Sequence, residues 1–217
     1  MKKLLFLGWL GLLAGAARGQ VPAAATHLDA AAHLDAVAHQ QSVLKFQAAL
    51  NAEFRNPQES PLTAAERKAF AGLPFYPTDY RYYVEATLVR DSTSRPFEMP
   101  TSTARRPLYR KYGELRFVLD DQPQHLSIYQ DLSLLKRPGF DDYLLLPFTD
   151  GSNGHGSYGG GRYLDLRLPP ASSRTMQLDF NRAYNPSCAY SPGYSCPVPP
   201  PENRLPLAIP AGVRSDH

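Results

Sequence analysis

The stretch "DFNRAYNPSCAYSPGYSCPVPPPENRLP", residues 179–206, gathers carboxylates, amides, phenols, guanidinium groups and both cysteines of a 217-residue chain. Asp179, Asn181, Arg182, Tyr184 and Asn185 flank the end of a predicted strand, where side chains often meet ligands. They are also the types that satisfy backbone groups in an ordered loop. Glu202, Asn203 and Arg204 follow three prolines that hold the chain extended, which would set these groups in a fixed place. A salt bridge from this segment to Arg162 or Arg182 is the structural reading, and a pocket for a small polar ligand is the functional one.

Cys188 and Cys196 are separated by seven residues that include Pro192-Gly193. In an oxidising compartment this turn would bring the two within disulfide reach. So short a loop would gain about 2–3 kcal/mol from the bond. Buried free thiols, a metal site and a cysteine nucleophile are the alternatives. A zinc site needs two more ligands, and the main body offers only His125 and His155. A nucleophile needs a base, for which His155 is the candidate. No metal site is expected.

A second irregular segment is "GHGSYGGGR", residues 154–162. Its first six residues match the dinucleotide fingerprint G-x-G-x-x-G, which requires a helix to follow. "GRYLDLRL" instead alternates like a strand, so no cofactor is expected. Gly159, Gly160 and Gly161 suit positive φ, a bulge or the close approach of another backbone. The functional alternative is a ligand-facing loop in which Tyr158 and Arg162 bracket exposed amides.

The elements that must position these groups change character along the chain. Val43, Phe46, Leu50 and Phe54 recur at helical steps, predicting a helix over about 37–54 that Asn56-Pro57 ends. "TAAE" from Thr63 reads as a capping box for a second, short helix, with Gly72 placed to end it. From Tyr80 the period becomes two. Strands are predicted at 82–89, 114–120, 125–130, 142–148, 161–168 and 174–180, with a turn at "DQPQ" and an edge strand at 205–209. The expected fold is mainly β (α+β): two N-terminal helices, then an antiparallel β-sandwich or partly closed β-barrel.

Ahead of this body, Lys2-Lys3 and an apolar run to Ala17 read as a signal peptide over 1–19, cut after Gly19. The run is too short for a membrane span of roughly 20 residues. Export to the periplasm or medium, without a membrane anchor, is expected. Residues 20–42, with "HLDAAAHLDAVAH", form an Ala/His-rich linker or helix, and 43–214 a single domain. The full chain carries 23 basic and 20 acidic residues. Three of the basic ones lie in the leader, so the mature chain is neutral and nucleic acid is not an expected partner.

"YGGGRYLDL", the 179–206 string and the closing "AGVR" resemble a bacterial family, domain of unknown function 1684. "PLYRKYGEL", "LPFTDGSNG" and "LNAEFRNPQESPLT" are similar to its short, exported members. The resemblance spans roughly Phe46 to Arg214. It implies a stand-alone copy of the family's common domain and carries no activity or catalytic residues. The sequence therefore points to a binding module for a small polar ligand or an envelope protein. Its site would lie between the two irregular segments, at Tyr158, Gly159, Gly160, Gly161, Arg162, Asp179, Asn181, Tyr184, Asn185, Glu202, Asn203 and Arg204. The alternative is a hydrolase-type enzyme with Asp179 or Glu202 as base and Arg162 as an anion clamp.

Overall fold

In the computed structural model of the chain, residues 23–215 are described, with side-chain surroundings from residue 34 on. The expected leader lies outside the described residues. Residues from Val37 onward form one compact unit, and the part described before it is helical.

Helix α1 runs Ala23–Arg55. From Val37 on, its helical-period apolar edge is buried at Val43, Leu50 and Phe54, as the spacing requires. Helix α2, Ala64–Ala69, carries the expected capping box. Thr63 N–H donates to Glu66 Oε2 at 2.8 Å while Glu66 N–H donates back to Thr63 Oγ1. The helix closes at Phe70, whose N–H bonds to the Arg67 carbonyl, so Gly72 is not its terminator.

The strands are β1 (Tyr83–Arg90), β2 (Phe97–Glu98), β3 (Leu108–Leu119), β4 (Gln122–Asp131), β5 (Tyr143–Phe148), β6 (Arg162–Arg167) and β7 (Thr175–Asp179). They form one antiparallel sheet in the order β6-β5-β4-β3-β1-β7, with β2 added to β3. The sheet curls into a half-barrel, so the sandwich alternative does not hold. The β3–β4 turn lies at Asp120-Asp121, both with positive φ, ahead of the expected "DQPQ". Aspartate tolerates this conformation, and two such residues build the turn that matches strand twist.

Inside the curl, Leu115, Phe117, Leu126, Ile128, Leu144, Leu146, Leu164 and Leu178 form the main core. The predicted edge strand at 205–209 is absent. This tail enters the curl as irregular chain, burying Leu205, Ile209 and Ala211. Pro206 and Pro210 remove donors that a ladder would use, so the tail fills space instead of pairing. On the outer face, Tyr109, Tyr129, Tyr163, Met99, Leu145 and Cys196 make a second core, with Tyr143 and Tyr184 packed against it.

Candidate functional site

The two irregular segments meet. Tyr163, at the start of β6, and Tyr184, just past β7, exchange backbone hydrogen bonds at 2.9 and 3.1 Å. The Tyr163 hydroxyl donates to the Pro197 carbonyl. Gly161 has φ +93°, and a Cβ there would lie 2.6 Å from Pro199 Cγ. That crowding is the close approach the glycine run was expected to permit. Burial raises the pKa of Tyr158, and the neighbouring Cys188 raises it further. Gly159 and Gly160 stay exposed.

Cys188 and Cys196 are neighbours but unbonded thiols here. The Cys188 N–H donates to Cys196 Sγ at 3.2 Å. Burial, then the contact with Cys188, pushes the Cys196 thiol up to about 12. A thiol held protonated is a poor nucleophile. Among the described residues no three His, Cys, Asp or Glu side chains converge to hold a metal ion.

Several of the expected ligand groups turn inward. Arg162 is fully buried. It pairs with Asp150 at 2.7 Å and donates to the carbonyls of Ile209 and Ala211, and through a longer contact to Ser152. Its position on β6 faces the curl, so it ties the tail to the sheet and offers no clamp to an incoming anion. Asn203, also buried, accepts from the Ser127 N–H and donates to the carbonyls of Ser127 and Pro147. Asn181 holds both backbone groups of Asp79. Asn185 is buried against Tyr190. Glu202 accepts from the Tyr129 hydroxyl at 2.8 Å, and Arg204 is exposed on a backbone bridge to Thr149.

The open place lies beside these loops, between β6 and β7. The two strands follow each other in sequence but do not pair. They are joined at one end by the Tyr163–Tyr184 bridge and at the other by the 168–174 loop. Between them is a cavity of about 430 Å³. Leu164, Leu166 and Met176 line its apolar side, and Asp165, Arg167, Asp179 and Arg182 supply charge. Asp165 Oδ1 accepts from the hydroxyls of Tyr143 and Tyr184, each at 2.7 Å. Crowding raises the Asp165 pKa while both tyrosine bonds lower it. The residue's surface is nevertheless largely open, and water at that flank works against the rise.

At the Asp179 end, α1 contributes a residue the sequence did not point to. His39 Nε2 lies 3.0 Å from Asp179 Oδ2, with both side chains nearly buried. The ring stacks on Tyr83 at 4.5 Å and meets Tyr80 edge-on. Asp179 also forms an ion pair with Arg182, whose Nε lies 3.2 Å from Oδ2, and accepts from the side-chain amide of Asn181. Ser42 resembles a third member of a catalytic triad only in composition. Its hydroxyl donates to the His39 carbonyl and accepts from Arg182, so its proton is not aimed at the imidazole. The three-fold histidine repeat gave no signal that singles out His39. Only the Val43 and Phe46 periodicity, extended back one turn, indicates the inward face.

Residues 68–214 match the model of a family described as a protein of unknown function, DUF1684. The chain belongs to this family. Among solved structures, this DUF1684 chain is similar to a solution NMR structure of an uncharacterized protein from Haloarcula marismortui. The two share 33% identity and a TM-score of 0.66, over 84% of this chain and 97% of that one. No curated protein matches the chain. The family match contains β6, β7 and Arg182, whereas His39 and Ser42 lie before its start. In this DUF1684 chain, α1 therefore completes one end of the window from outside the matched span.

Proposed function

We propose that this DUF1684 chain is a binding module and that its ligand occupies the window between β6 and β7. One observation carries the reading. A cavity of about 430 Å³ has an apolar side and two acidic and two basic side chains around it, within the size and character of ligand sites. Asp179 belongs to the set expected from sequence and lines this cavity, and Tyr184 reaches it through Asp165. Arg162, Asn181, Asn185 and Asn203 of that set are buried in packing the neighbouring loops. The hydrolase alternative has less support, because Asp179 is held by His39 and Arg182, and the terminal nitrogens of Arg162 are bonded inside the curl to Asp150 and two tail carbonyls.

The ligand is a molecule with an apolar body and hydrogen-bonding groups, or a partner segment of that kind. An NMR titration of the 15N-labelled protein with metabolite pools tests this. Amide shifts centred on 164–167 and 175–179 are expected. Shifts centred on 154–161 and 188–196 would return the site to the paired loops and end the window reading. Export with a cut after Gly19 and a Cys188–Cys196 bond belong to the same proposal. The mass of the unreduced, thiol-labelled mature protein tests both, and two labelled thiols would remove the bond.

A further inference from the structure

We infer that the occupant of the window is an extended peptide segment added as a strand, an inference that rests on the window reading above. Backbone phase is the reason. Leu168 N–H donates to the Asp142 carbonyl, so in this antiparallel ladder Leu166 and Leu164 also bond toward β5. Tyr163 bonds the opposite way, to Tyr184. Asp165 and Arg167 share its phase, and their N–H and C=O groups face the window. On β7, Leu88 N–H donates to the Arg174 carbonyl, so Met176 and Leu178 bond toward β1. Gln177 and Thr175 then face the window. Ser173 Oγ satisfies both backbone groups of Thr175, which leaves Gln177 as the open position on that rim.

The window is thus bordered by strand edges on which the backbone groups of Asp165, Arg167 and Gln177 bond to no neighbouring strand among the described residues, a template for strand addition. Its straight portion, Leu164–Arg167, spans about 13 Å, room for roughly four residues. The side chains set the pattern. Leu164, Leu166, Met176 and Leu178 point into the curl, while Asp165 and Arg167 point outward. An added strand would present apolar side chains inward and polar ones outward, alternating. A compact metabolite would satisfy one rim, whereas a peptide backbone carries donors and acceptors on both edges.

The test uses the full chain, 15N-labelled, with pools of capped peptides about six residues long that alternate apolar and polar positions. At least one pool is expected to shift the 164–167 and 175–179 amides and slow exchange of the Arg167 and Gln177 N–H about tenfold. N-methylation of the binding peptide should weaken it about tenfold or more at the positions whose N–H faces β6, and less at the alternate positions facing β7, where Gln177 is the open position. Gln177→Pro removes a window-facing N–H and no ladder bond, so it should weaken binding while leaving the thermal midpoint near wild type. If that variant does not fold, the N-methyl series on wild type decides alone. If neither methylation phase weakens binding, strand addition is overturned. Failure of every peptide pool while a non-peptide compound shifts the same amides overturns the peptide and keeps the window. Failure of both classes to shift these amides overturns both.

Discussion

Arg162 and Arg167 sit on the same strand, five positions apart, and do opposite things. An odd step along a strand changes face. Arg162 therefore enters the curl, is fully buried and meets Asp150 and two tail carbonyls. Arg167 points out, is more than half exposed, and pairs with an exposed Asp142 at 2.6 Å. The two ion pairs look alike in a contact list. Desolvation separates them: a buried charge must be matched fully by the protein, while an exposed one is shared with water. The first pair is architecture, and the second leaves its groups available at the rim of the window.

Four measurements would break or sharpen that contrast. Arg162→Ala should cost about 3–5 kcal/mol in urea unfolding, because it strands a buried carboxylate and releases the tail. A cost under about 1 kcal/mol would mean that water enters the curl and the contrast is false. Asn203→Ala, which leaves three buried backbone groups with a lost partner, should cost about 2–3 kcal/mol by the same assay.

The outer tyrosines supply an intermediate case. Burial raises the pKa of Tyr143 and Tyr163, and takes Tyr190 up to about 12. A raised folded-state pKa keeps the proton on the native side. The tyrosine contribution to stability is then constant below pH 10 and falls as pH rises from about 10 toward 12. The slope should approach about 1.4 kcal/mol per pH unit for each tyrosine that stays protonated. Tyrosinate absorbance rising ahead of unfolding would show that these hydroxyls are wetter than their packing implies. Arg167→Ala should change stability least, by under about 1 kcal/mol, while altering any ligand response at the window. A large loss would show that the 137–142 turn depends on this side chain, which donates to Gly139 as well as Asp142.

Much of the strand pattern was readable because period-two alternation survives in "RYLDLRL" and in the leucines of "DYLLLPF". The capping box was readable because its partners are three residues apart. The first half of β3 was not: "LYRKYG" carries a register shift between Lys111 and Gly113 that puts Tyr109 and Leu115, an even step apart, on opposite faces and breaks the alternation. The 179–206 string announced a dense polar segment, yet composition could not separate Asn203, tied into the core, from Glu202, one position away and exposed. His39 was hidden for a related reason. Its partner Asp179 stands 140 positions along the chain.

The residues alone determined where helix gives way to strand, which faces of β6 are apolar and polar, and that two special segments exist, because these depend on interactions between near neighbours. Only the tertiary structure decided that the sheet curls, that the proline-bearing tail fills it, and that β6 and β7 stay apart with unpaired edges facing a cavity. Those outcomes depend on which distant groups share one small volume. A charge or amide takes its role from the water that volume admits, and this quantity is not written in any local pattern.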